Sequence, residues 1–274
     1  MKRVLYLTIS TVILLVIGCG GAAELIKAPQ ISAVIMDSTS LIVMWEEDTT
    51  IEHNVDFQGY NIYVSTDSVI LMVEDGEDLN KHNAAAITDL SYEITDLNQD
   101  SIYYVQVRVV NTENKVGSYN DSLPFIDGSP RPEFTLTVSF EQSSADSNEA
   151  NCGLRFETAA VTNESLHVFP GADIFFARRS DTLKVCSAST RTAAGFTPRN
   201  TSMHNYEQIE FDSLYAANPN DNYLDQWQFV VGDLIVFETE EGNYVKLYVN
   251  DYDSVAATID IRYAYQNILD YPKF

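Results

Sequence analysis

The chain has 274 residues, of which 45% are hydrophobic, enough for about two domains with a core each. Its 40 acidic residues against 16 Lys and Arg give a formal net charge of −24, an acidic surface that repels phosphate backbones and argues against a nucleic-acid partner. No apolar run reaches the roughly 18–20 residues of a membrane span.

Lys2 and Arg3 are followed by a stretch to Ile17 that is apolar except for Thr8, Ser10 and Thr11. That is the charged start and short apolar core of an export signal. It ends in Val16-Ile17-Gly18-Cys19, which resembles the bacterial lipoprotein signal motif. The resemblance implies removal of residues 1–18, acylation of Cys19, and residues 19–28 as a tether that opens with Gly20-Gly21-Ala22-Ala23. The expected address is a bacterial cell envelope, with a lipid anchor in the outer membrane, since Gly20 is not the Asp that retains some lipoproteins at the inner one. An ordinary export signal that happens to contain a Cys is the alternative.

Residues 29–126 read as short alternating strands with polar turns. Leu41, Val43 and Trp45 alternate in one run, Tyr60, Ile62 and Val64 in the next, and Tyr103, Val105, Val107 and Val109 in a third. Trp45, the Gly59-Tyr60-Asn61-Ile62-Tyr63-Val64 run, Leu97 six residues before Tyr103, and Val109-Val110-Asn111 before Gly117-Ser118 together resemble a fibronectin type III domain. The resemblance implies a two-sheet sandwich with Trp45 and Tyr103 in structural roles and the last strand starting at Gly117. Gln99 stands where that family usually has Pro, and no Arg-Gly-Asp tripeptide occurs. Asp127-Gly128-Ser129-Pro130-Arg131-Pro132 reads as a linker, because Gly and two prolines interrupt a strand.

Residues 133–274 are a second antiparallel β domain, sandwich or barrel-like, so the whole chain is expected to be all-β. Phe134, Leu136, Val138 and Phe140 alternate, Leu234 to Phe237 and Tyr244 to Val249 flank a Glu240-Glu241-Gly242-Asn243 turn, and Ile259 to Gln266 forms the last strand. A short helix fits Tyr206 to Leu214. The apolar Ile174-Phe175-Phe176-Ala177 run predicts a central strand covered on both faces, with Arg178 and Arg179 at its end pointing to opposite sides. The block from Ala172 to Arg179, with Thr239, Gly242, Tyr244, Lys246 and Leu247, resembles the HmuY-like family of bacterial surface lipoproteins. Some members of that family bind haem through two side chains. Neither matched block here contains a haem ligand, so that activity does not transfer.

The remaining chemistry is sparse. With 40 acids, a carboxylate pair of the kind that hydrolyses glycosides carries no signal, and GxSxG, HExxH and phosphate-binding glycine loops are absent. Once Cys19 is lipidated, Cys152 and Cys186 are left either as a disulfide or as two buried thiols. Haem would need His167, Met203 or His204 as ligands, the last two in a polar loop. Asn218 to Asp225 and Asp251-Tyr252-Asp253 are oxygen-rich, as calcium prefers, but without EF-hand spacing. Six of the nine basic residues after position 133, Arg155, Arg178, Arg179, Lys184, Arg191 and Arg199, fall between 155 and 199. One face there is expected to be positive and to receive an anionic sugar, a lipid headgroup or an acidic partner, with Arg178 and Arg179 as contacts; internal pairing with acids such as Asp173 or Asp181 is the alternative. The function expected is a lipid-anchored, non-enzymatic binding module without a cofactor, its partner a protein or a glycan. Haem capture is the second reading and a hydrolase the third.

Overall fold

The computed structural model describes residues 28–52, 56–72, 80–141, 151–163, 168–179 and 181–274. The expected export signal, Cys19, most of the expected tether and His167 lie outside them.

Six strands build the first domain: β1 (Ile31–Met36), β2 (Leu41–Trp45), β3 (Phe57–Ser65), β4 (Ser91–Ile94), β5 (Tyr103–Asn111) and β6 (Ile126–Gly128). They pair antiparallel in two sheets of order β1-β2-β4 and β3-β5-β6. The alternation seen in the sequence decides which side faces in. Leu41, Val43, Trp45, Tyr60, Ile62, Val105, Val107 and Val109 form one buried cluster between the sheets. The edge of the Tyr60 ring meets Trp45 at 5.3 Å between centroids. The last strand does not run on from Gly117 as expected. Val116 bridges Val110 and the Gly117 N–H reaches the Val109 carbonyl, but the chain then leaves the sheet and returns only as β6 against Tyr103 to Val105.

β6 also redraws the linker. Asp127 and Gly128 belong to a strand, and Ser129 and Arg131 are fully buried. The Arg131 N–H donates to the Asp37 carbonyl of the first domain, while its guanidinium lies over Phe211 of the second. From the far end of the chain, Tyr271 Oη donates to Asp127 at 2.8 Å and Lys273 Nζ at 2.7 Å. The proline-rich segment is a packed joint.

Ten strands follow: β7 (Glu133–Ser139), β8 (Gly153–Arg155), β9 (Ala160–Thr162), β10 (Ile174–Arg179), β11 (Thr182–Ser187), β12 (Ser202–Asn205), β13 (Gln226–Gln228), β14 (Leu234–Glu238), β15 (Tyr244–Asp253) and β16 (Thr258–Tyr265). They form two five-stranded sheets of order β13-β11-β10-β8-β9 and β12-β14-β15-β16-β7. Val138, Phe140, Ile174, Phe176, Val185, Ile235, Phe237, Leu247, Ile261 and Tyr263 pack in one core drawn from both sheets, each such side chain worth about 1.5–3 kcal/mol of burial. This is a sandwich. The β14–β15 hairpin closes at Thr239 to Asn243, where Gly242 takes φ +91°, a left-handed geometry that favours glycine.

The outer face of the second sheet is covered by chain. Phe211, Leu214, Tyr223 and Phe274 pack over Leu234, Val236 and Ala264. The helix expected between Tyr206 and Leu214 is a single 3₁₀ turn at Phe211–Ser213. Beneath it Lys246 is 2% exposed, its Nζ donating to the carbonyls of Phe211 at 2.9 Å and Leu214 at 3.1 Å. Burial, then repulsion from Arg131, pulls its pKa down to about 7.

Candidate functional site

The outer face of the first sheet of this sandwich is treated differently. β10 is its middle strand, and Phe175, Ala177 and Arg179 face outward because Ile174 and Phe176 face the core. The β10–β11 register sets Cys186 beside Phe175 and Lys184 beside Ala177. With Arg191, Thr190 and Gln226 these side chains line a hollow of about 440 Å³. Phe175 forms part of its apolar floor, stacked on Phe169 at 4.4 Å, and the Arg191 guanidinium lies 5.3 Å from the Phe175 ring centre.

The arginines are set by a residue that no motif singles out. After β7 the chain crosses to the first sheet, where Glu141 bridges Ala177. Its carboxylate is fully buried, accepts a hydrogen bond from Arg179 Nη2, and receives Arg191 Nη2 at 2.9 and 2.7 Å on its two oxygens. Arg191 itself follows a one-turn 3₁₀ helix at Ala188–Thr190, capped by the Ser187 hydroxyl. The signal for Glu141 was one of phase: residues 134, 136, 138 and 140 point inward, so 141 must point the other way. Two guanidinium groups thus hold one carboxylate, and Lys184 lines the same hollow, on an otherwise acidic protein. A second hollow of about 460 Å³ adjoins the first, sharing Lys184 and Gln226 and continuing over Leu224, Trp227 and Gln228 at the edge strand β13.

The other expected sites divide. Arg178 and Arg179 do alternate, and Arg178 pairs with Asp181 at 2.9 Å on the side of the strand away from the hollow; Asp173 serves Arg199 and Arg155 instead. Cys152 and Cys186 are buried in one cluster, neither in a disulfide. β10 runs between them, and two ladder spacings of roughly 4.8 Å exceed the reach of a disulfide of about 7 Å. Burial raises the Cys186 thiol pKa to about 11, so it is not a nucleophile at neutral pH.

Met203 and His204 are not in a loop but on β12. Met203 is fully buried in the core opposite Phe237, while His204 faces the other way among Tyr206, Tyr223 and Trp227. Successive strand residues cannot both face one haem. The oxygen-rich loops serve their own turns. Asn218 accepts from the Asn220 N–H, Asp221 takes the Tyr206 hydroxyl, and Asp253 accepts from the N–H groups of Val255 and Ala256. Among the described residues no three His, Cys, Asp or Glu side chains are grouped for a metal.

A cleft of about 720 Å³ between the domains contains Glu157 and Glu241. Both lie on Arg155, and hydrogen bonding to Arg199 holds the Glu241 carboxyl below the usual range. A glycosidase acid needs the opposite shift.

The first domain carries its own diagnostic contact. Tyr103 reaches back across the turn, and its hydroxyl oxygen accepts the Asn98 N–H at 2.9 Å, the tyrosine corner of sandwich domains. Residues 27–124 match the family model of the fibronectin type III domain. Similar solved structures include the FN5 domain of Drosophila Lar, at 18% identity and TM-score 0.27, covering 39% of this chain and 96% of that one. The sixth fibronectin type III domain of human fibronectin type III domain containing protein 3 is also 18% identical, with TM-score 0.28, covering 41% and 92%. The Yersinia enterocolitica family 28 exopolygalacturonase is 14% identical with TM-score 0.24, covering 38% of this chain and 20% of that one. No curated protein matches the chain. In this fibronectin type III domain Gln99 takes the place of the usual Pro, and its side-chain amide donates to the Ser38 carbonyl at 2.6 Å, tying the corner to the β1–β2 turn.

Proposed function

We propose that the protein is a lipid-anchored component of a bacterial cell envelope, held at the outer membrane through Cys19, and that it works as a non-enzymatic binding module. The fibronectin type III domain acts as spacer and interaction unit. The β7–β16 sandwich presents the binding face, an anion site at Arg179, Arg191 and Lys184. The observation that carries the binding part is the Glu141 clamp. A fully buried carboxylate is costly unless well paired, and here it fixes two guanidinium groups at the rim of a hollow rather than sealing one inside. Each arginine has five N–H donors; the contacts described engage two nitrogens of Arg179 and one of Arg191. The rest suit a carboxylate or phosphate.

Two experiments test this. Cys19→Ser should move the protein from the membrane to the soluble fraction; a variant that still sediments with membranes after a high-salt wash refutes the anchor. Glucuronate or inorganic phosphate should bind the wild-type chain, with a loss of about tenfold or more in Arg191→Gln. Equal titrations of the two proteins refute the anion site.

A further inference from the structure

We propose that the ligand of this face is an acidic glycan, with one carboxylated sugar over Arg179, Arg191 and Lys184 and a neutral sugar beyond it over Gln226, Gln228 and Leu224. This inference rests on the anion site proposed above and extends it along the sheet. The two adjoining hollows, about 440 and 460 Å³, differ in chemistry. Positive charge surrounds the first. The second shares Lys184 but otherwise offers two amide side chains and Leu224, with no carboxylate among its lining residues, while the Trp227 indole of the same strand alternates inward onto the core. Amides match the paired donor and acceptor character of sugar hydroxyls, and the exposed Leu224 presents an apolar surface to the C–H groups of a pyranose ring.

The net charge of −24 bears on the choice of anion. A densely charged polymer meets long-range repulsion everywhere except at this patch, whereas a chain with one carboxylate per two sugars brings its charge only where the cations stand. An acidic peptide fits less well. An extended peptide would dock by adding to the sheet edge, yet β13 is three residues long. The N–H and carbonyl of its middle residue are directed at β11, as the flanking Leu183–Phe229 and Ser187–Asp225 bonds show, and the Gln228 carbonyl already accepts from Asn205.

The test is titration of the full-length chain by calorimetry with five probes: a tetrasaccharide alternating glucuronate and N-acetylglucosamine, the neutral tetrasaccharide of N-acetylglucosamine, glucuronate alone, a hexaglutamate peptide and a fully sulfated heparin tetrasaccharide. The alternating tetrasaccharide should bind about tenfold more tightly than any other probe. Gln228→Ala, at an exposed position that lines only the second hollow, should weaken that probe several-fold while leaving glucuronate unchanged. If glucuronate binds as well as the tetrasaccharide and Gln228→Ala changes nothing, the anion site stands and the glycan reading falls. Tighter binding of the peptide or of heparin also overturns it. If no probe binds and Arg191→Gln alters nothing, both readings fail together.

Discussion

The two domains share an architecture, a pair of antiparallel sheets around an apolar core, but the cations on their outer faces meet two fates, and only the second domain shows both. In the fibronectin type III domain, Arg108 projects from the outer face of β5 and is buried. Its Nε donates to Gln106 at 2.6 Å and its Nη2 to the Leu71 carbonyl at 2.9 Å, with Tyr63 and Tyr119 against its plane. In the second domain, Lys246 is covered in the same manner by the Phe211 turn. Arg179, Arg191 and Lys184 are only partly buried, because among the described residues no chain segment closes over β10 and β11 at that end. The difference lies in the connections, not the strands. A sandwich sheet offers an outward cation at every second position, and whether it becomes a strut or a contact depends on whether a loop crosses it.

The comparison can be broken at several points. Trp45→Ala should cost the fibronectin type III domain about 3–5 kcal/mol in denaturant unfolding. A loss under about 1 kcal/mol would mean that the β2 alternation is misassigned. Lys246 tests the covered cation by pH. Its folded pKa of about 7 lies below the 10.5 of the unfolded chain, so between these values the unfolded state binds more protons and stability rises with pH. Between pH 7 and 9 the gain relative to Lys246→Met should be on the order of 2 kcal/mol; parallel stability curves for the two proteins would show that the ammonium is solvated. Arg108→Met should lower stability by about 1–3 kcal/mol, whereas Lys184→Met at the open hollow should stay within about 0.5 kcal/mol. Equal costs at both positions would erase the distinction drawn here. Tyr103→Phe, which removes one hydroxyl from the corner, should cost about 1 kcal/mol by the same measurement.

Most strands were legible because period-two alternation is a direct readout of two-sided burial: Leu41, Val43 and Trp45, or Val245, Leu247 and Val249, could hardly be arranged otherwise. The covered strand β10 and the opposed directions of Arg178 and Arg179 were legible for the same reason. What failed depended on contacts distant in sequence. Asp127 to Pro132 has the composition of a linker, and only Tyr271, Lys273 and Phe211, some 80 to 145 residues away, make it a joint. Cys152 and Cys186 looked pairable until the sheet order put β10 between them. Arg178 and Arg179 were weighed together, but Asp181 takes one and Glu141 fixes the other beside Arg191. Local pattern reports which way a side chain points. It does not report who stands opposite.

The joint has a mechanical consequence. The chain crosses between the domains once covalently, at Ser129 to Arg131, and a second time through the strap that Asn267, Tyr271 and Lys273 lay back onto Asp100 and Asp127. A pull on the second domain against a fixed first domain therefore loads two lines in parallel, and torsion about the covalent crossing is resisted by the strap at a lever arm. Two such lines tie the pair of sandwiches as a strut rather than as two beads on a string, so the anchor proposed at one end would set both the height and the heading of the other.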